Sequence, residues 1–189
     1  MMRSVVNLDR QATCPSCGAG VTFKFAGARS VVCEYCKSVV VRSDKGGVEA
    51  QGRMADLLEV PSTMPYGAEG NWSGEWFEVT GRIQMDRAGA PGAPWEEMLV
   101  WFPREDRTTW VAYAQGRWYA TTEDPNPPPM PPQGSLNVGQ QVDLGQHGLF
   151  VAQEIGQRRV VSGQGSLPNV PKPGAVTHYI DVSGPQGAF

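Results

Sequence analysis

Downstream of Pro61, apolar and polar positions alternate in steps of two. In FEVTGRIQM (77–85), Phe77, Val79 and Ile83 fall on one face and Glu78, Thr80 and Arg82 on the other, the signature of a half-buried strand. MLVWF (98–102), TWVAY (109–113) and RWYAT (117–121) follow, separated by turn-forming stretches such as PRED and QG. Short strands at such intervals predict a small barrel or a strongly twisted sheet. Upstream, VTFKF (21–25), SVVC (30–33) and VVVR (39–42) read as three further strands, with AGAR (26–29) as a turn. DKGG (44–47) reads as a linker. VEAQGRMADLLE (48–59) then sets Met54, Leu57 and Leu58 at helical spacing, which predicts a short amphipathic helix packed on a sheet, although Gly52 weakens it.

EDPNPPPMPPQG (123–134) is barred from a sheet interior, because proline removes the ladder donor and fixes φ. It reads as a stiff, extended connector, with recognition by an aromatic groove as the alternative. Beyond it, VGQQVDLGQHGLFVAQEI (138–155) echoes YGAEGNWSGEWFEVTGRI (66–83) with an offset of one residue, which suggests an internal duplication. The second copy would continue through RVVS (159–162), GSLP and THYIDVSG (177–184). The expected organisation is mainly β. It comprises a tail (1–13), a cysteine-bearing unit (14–45), a linker with the short helix (46–60), a first β module (61–123), the proline-rich linker (124–134) and a second β module (135–189).

The cysteines change the picture most. CPSC (14–17) and CEYC (33–36) hold all four, and the intervening residues 18–32 match the spacing of a two-knuckle zinc site. Two residues between ligands let one tight turn aim both thiolates at a single ion, and two facing turns complete a tetrahedron. Gly18 can take the left-handed conformation that closes the first knuckle, whereas Lys37 occupies the matching place in the second, where its charge offsets that of the tetrathiolate. Cys14, Cys17, Cys33 and Cys36 are therefore expected to hold a structural Zn²⁺ in a zinc ribbon, stapling a segment too short to fold on burial alone. Four thiolates leave no open position for a catalytic water. Rubredoxin-like iron and a redox dithiol pair are the alternatives.

Net charge of −3 gives no overall attraction to nucleic acid or to an anionic membrane surface. The opening MMRSVVNLDRQ lacks the apolar run of a signal peptide, and no stretch approaches the roughly 20 apolar residues of a membrane span. A cytoplasmic protein with reduced thiols and no direct membrane insertion is the expectation.

Other chemistry is thin. His147 lies in a turn and His178 in a strand, so no nucleophile and base pair is supported, and neighbouring carboxylates such as Glu96 and Glu97 point apart on a strand. No catalytic residue is assigned. All six tryptophans, Trp72, Trp76, Trp95, Trp101, Trp110 and Trp118, fall in the first β module. Some must fill its core. Trp72, Trp76, Trp101, Trp110 and Trp118, together with Tyr179 and Asp181 on one face of the last strand, are the candidate surface for a partner or ligand. Lys24, Arg29, Lys37 and Arg42 make the cysteine unit mildly basic and are the candidate nucleic-acid contacts.

CPSCGAGVTFKF, VVCEYCKSVVVRSD, MADLLEVPS, FEVTGRIQ, AQGRWY, LNVGQQV and GSLP with HYIDVSGPQG, in that order, resemble a bacterial family named only as domain of unknown function 4178. The resemblance implies a zinc ribbon joined to compact β modules, in a family without established activity and associated with small membrane proteins and polyamine-synthesis genes. It supplies no catalytic residue. Similar proteins continue past GAF (187–189) with another strand, so the last module is expected to be incomplete or completed by a partner. The leading expectation is a non-enzymatic adaptor that binds a protein partner in a cytoplasmic or membrane-proximal assembly. The alternatives are a nucleic-acid-binding ribbon protein and a binding domain or enzyme for a cationic metabolite such as a polyamine, acting through aromatics and Glu96, Glu97 or Asp181.

Overall fold

Period-two alternation becomes strand in most places where it was read, although in VTFKF the strand stops at Thr22. The structure, a computed structural model, describes residues 10–58, 64–90, 92–114, 116–121, 123–124, 126–129, 131–132, 134–184 and 187–188. The first third of the chain supplies β1 (Gln11–Thr13), β2 (Gly20–Thr22), β3 (Ser30–Val32), β4 (Ser38–Arg42) and β5 (Val48–Arg53), so strands fall in the expected tail and linker as well as in the cysteine unit. The middle of the chain supplies β6 (Glu69–Trp72), β7 (Glu75–Arg87), β8 (Trp95–Phe102), β9 (Arg107–Ala114) and β10 (Arg117–Thr121). After the proline-rich stretch come β11 (Gln141–Asp143), a 3-10 turn at Gly145–His147, β12 (Leu149–Leu167), β13 (Val176–Gly184) and β14 (Gly187–Ala188). Among the described residues, no helix is long and apolar enough to cross a membrane.

β1 and β2 pair with each other, and the other strands join in one twelve-stranded sheet whose central path runs β10-β9-β8-β7-β12-β3-β4-β5. This sheet is not closed, so the expected barrels are not what the strands build. The long strand β12 serves as a spine. Val151 pairs with both Gln141 and Ser183, and Gly165 with both Gly81 and Val32, so each edge of β12 is used twice. The two echoed segments take the same local form, a short strand turning back into a long one (β6 into β7, β11 into β12). The two long strands then lie side by side instead of closing separate modules.

Two expectations for the linker are corrected. Of the segment expected to be helical at 48–59, Val48–Arg53 is β5, paired with β4, residues 54–58 are not helical, Glu59 lies outside the described residues, and DKGG belongs to the turn between the two strands. Gly46 and Gly47 both have positive φ (89° and 78°), the conformation that lets a hairpin turn follow strand twist, and Gly52 at φ 79° breaks any helical run. Of the supposed apolar stripe, Met54 is buried but Leu58 is exposed.

β3 and β4 are buried on both faces, which accounts for their unbroken valines. On one side Val31 and Val40 join Phe23, Phe25, Cys14, Cys33 and Leu99. On the other, Val32, Val39 and Val41 join Met54, Ile83, Met85 and Leu167. Burying each large apolar side chain stabilises the fold by about 1.5–3 kcal/mol. A third cluster, with Val79, Met98, Val100, Phe102 and Val111, is drawn from β7, β8 and β9, while Leu136, Leu144, Phe150, Ala152 and Val182 give the C-terminal part its own small core.

Ser166 ties the two ends of the chain. Its hydroxyl donates to the Thr22 carbonyl (3.0 Å) and accepts the Lys24 amide (3.1 Å), replacing the ladder bonds that β2 would otherwise lack here.

Candidate metal centre

Each cysteine pair sits on a tight turn. In the first, the Gly18 amide donates to the Cys14 carbonyl (2.9 Å) and the Cys14 amide to the Ala19 carbonyl (2.7 Å). In the second, the Lys37 amide donates to the Cys33 carbonyl and the Cys33 amide to the Ser38 carbonyl, both at 2.9 Å. The turns are equivalent, and both require positive φ at the residue after the second cysteine: 78° at Gly18 and 60° at Lys37. A side chain in that conformation costs about 1–2 kcal/mol. Lys37→Gly is therefore expected to stabilise the metal-loaded protein by about 1 kcal/mol in urea denaturation. An unchanged or lower midpoint would show that the lysine charge outweighs the backbone strain.

The four sulfurs converge within 4.8 Å of one another. Cys14 and Cys36 Sγ are 3.6 Å apart, and Cys17 and Cys33 Sγ are 3.7 Å apart. Metal–sulfur bonds of about 2.3 Å arranged as a tetrahedron give edges of about 3.8 Å, whereas a disulfide would bring two sulfurs to about 2.0 Å. All four cysteines are free thiols. The donor set thus fits one four-coordinate metal ion. The Ser38 hydroxyl lies 3.3 Å from Cys36 Sγ and, with the Ser38 backbone amide, draws that thiol down to about 6. At Cys17 the Ala19 amide acts in the lowering direction, but hydrogen bonds with Cys36, Cys33 and Cys14 push the thiol up to about 12. Cys14 and Cys33 are buried and Cys17 is exposed, so the cluster is open to solvent on the Cys17 side.

The centre is built into the main core. Trp101 and Trp110 pack against the cluster that contains Cys14 and Cys33, and Trp110 also packs on the second cluster with Trp95. Trp101 Nε1 donates to Asp106 Oδ1 at 2.8 Å, satisfying its one polar group. Trp72, Trp76 and Trp118 stand exposed instead. Trp72 tilts on Phe102, and Trp118 lies 5.0 Å from Tyr113 across the β9–β10 hairpin. The candidate tryptophan surface therefore divides, with Trp101 and Trp110 half-buried against the core and the other three exposed.

The basic residues do not form one bare patch. Lys24 donates to Glu78 at 2.9 Å, and the Arg42 guanidinium lies 4.5 Å from the Phe23 ring and donates to the Ala26 carbonyl. The Arg42 amide bonds the Arg29 carbonyl, so those two are neighbours, while Lys37 is fixed in its knuckle. Glu96 pairs with Arg82 (3.2 Å) and Gln84 (2.8 Å), and Glu97 with Arg158 (3.5 Å). Tyr179 donates to Glu154 (2.5 Å), which also accepts from Arg87 (2.6 Å), and the Tyr179 ring lies over Gly156, where a Cβ would come within 2.8 Å of its hydroxyl. Asp181 sits opposite Glu154 in the register; desolvation first, then the Glu154 charge, raises its carboxyl. His147 approaches Asp124 (3.7 Å), and His178 lies 3.4 Å from Gln157.

One group of residues escaped sequence reasoning. Tyr66 comes beside Glu34 of the second knuckle, and burial, then the charges of Glu34 and Glu78, pushes its hydroxyl up to about 12. Its partners come from three distant segments, so no local spacing could signal them. Comparison of the chain with family models, curated proteins and solved structures gave no match, so the site is read from its geometry alone.

Proposed function

We propose that this protein is a non-catalytic, zinc-stapled adaptor that presents the β9–β10 hairpin to a protein partner in a cytoplasmic or membrane-proximal assembly. The observation that carries the reading is the state of β10. It ends the central path of the sheet, pairs with β9, and is exposed at all five of its residues, Trp118 and Tyr119 included. An edge strand offers unpaired backbone groups to an incoming strand, and large aromatics on both of its faces supply anchoring area. Zinc is the ion that the four-thiolate donor set suits best, and a closed set of this kind orders the fold and leaves no position for substrate. The resemblance to the domain of unknown function 4178 family forms part of the same proposal.

The test is affinity purification of the metal-loaded protein from its native cells, beside a Trp118→Ser, Tyr119→Ser double variant. Both positions are exposed, so the variant is expected to fold and to lose at least one protein that the parent captures in stoichiometric amount. If parent and variant recover the same proteins, the edge strand is not the docking element.

A further inference from the structure

A cleft of about 350 Å³ opens beside the second knuckle, within the size range of small-ligand sites. Thr22 and Lys24 line it from the first ribbon hairpin, Glu34 and Tyr35 from the knuckle itself, and Tyr66 and Glu78 from the approach to β7 and from β7. Its polar groups decide what it can hold. Lys24 is consumed by Glu78 at 2.9 Å, so those two charges cancel. Glu34 makes no ion pair among the described residues and shares the cleft lining with Tyr66. Of the charged groups in the lining, Glu34 is then the one left uncompensated. The cleft is therefore electronegative and repels carboxylates and phosphates.

Its walls add the second requirement. Tyr66 packs over the bare backbone of Gly165, where a Cβ would come within 2.4 Å of the ring, so the glycine fixes the ring in place. Tyr35, in the same lining, stands 79% exposed. A carboxylate and two phenol rings in one cleft are the chemistry that receives an organic cation, by ion pairing with the one and by contact with the ring faces of the others.

We infer that this cleft binds an alkylammonium or guanidinium group, with Glu34 as counter-charge and the Tyr66 and Tyr35 rings as walls. Such a group arrives either on a free amine or on a lysine or arginine side chain of another protein. The inference does not depend on the β9–β10 edge.

Amide chemical shifts of the metal-loaded, full-length protein would be followed during titration with n-butylammonium, with N-acetyl-lysine N-methylamide, and with butanoate as the anionic control. Both cations are expected to give saturable shifts at Glu34, Tyr35 and Gly67, and butanoate none. Tighter binding of the blocked lysine identifies a protein side chain as the natural source, and tighter binding of butylammonium a free amine. Glu34→Gln is expected to weaken binding by about tenfold or more, and Tyr66→Phe by about threefold. The charge-transfer spectrum of the cobalt-loaded protein should stay unchanged in both variants, which separates loss of the cleft from damage to the metal centre. Absence of saturable shifts with either cation, equal binding of butanoate, or undiminished binding by Glu34→Gln with an intact cobalt spectrum would each overturn the inference.

Discussion

Chelating the metal is expected to unfold the first third of the chain and to loosen the sheet beyond it. Structural zinc sites contribute roughly 10–16 kcal/mol of apparent binding free energy, comparable with the roughly 5–15 kcal/mol that holds a whole domain together. Here the ion does more than order a loop. Cys14 and Cys33 belong to the cluster that contains Leu99, with Trp101 and Trp110 packed against it. Collapse of the knuckles would leave Phe23, Phe25 and Val31 without their neighbours and strip the β3 ladder from β12. Far-UV circular dichroism should lose strand signal on chelation, and tryptophan emission should shift to the red as Trp101 and Trp110 become wet. Cys33→Ser should reproduce the effect, because it removes a fully buried ligand, while Cys17→Ser, at the exposed corner, should be milder. A protein stripped of metal that keeps its thermal transition and its emission spectrum would show that hydrophobic burial alone suffices.

Gly165→Ala is expected to cost more than about 4 kcal/mol, among the largest effects available to a single methyl group. Gly165 has φ 76°, and a Cβ there would lie 2.2 Å from the Thr80 carbonyl oxygen and 2.4 Å from Tyr66. Both strain and collision act, and the colliding atom is backbone, which cannot rotate away. Gly81, its partner in the register, is equally closed, with the Ser166 carbonyl oxygen 2.4 Å from a Cβ. The informative control is Gly174→Ala, where φ is 75° but the surroundings are open. That variant should lose only the backbone strain, about 1–2 kcal/mol. Equal midpoints for the two variants in urea denaturation would mean that the close approach of β7 to β12 contributes nothing.

The four-cysteine cluster was readable because each half of it is local: two cysteines share one turn within four residues, and only the meeting of the halves needs tertiary structure. Strands were readable for the same reason, since the two-residue period of FEVTGRIQM is independent of what lies next to it. The segment 48–59 misled because Met54, Leu57 and Leu58 happen to share a helical spacing, while the left-handed Gly52 and a ready edge on β4 decide for strand. Nothing in the glycines of GRIQ or SGQGS announces that Gly81 and Gly165 face each other, so the merging of the units into one sheet stayed hidden. The tryptophans divide between core and surface by the same long-range pairing. The cleft at Tyr66 was invisible because its walls meet only after β12 has joined the ribbon to β7.

The Lys24 to Ser166 hydrogen bond spans 142 positions, and β3, paired early with β4, finds its second ladder partner only in the last quarter of the polypeptide. During synthesis the knuckles can capture their ion early, but one margin of β3 must wait, unsatisfied, until β12 emerges from the ribosome. Production of this protein is thus a race between translation and self-association. Slower elongation or an early stop codon would lengthen the time that a sticky, half-finished intermediate spends exposed to its siblings.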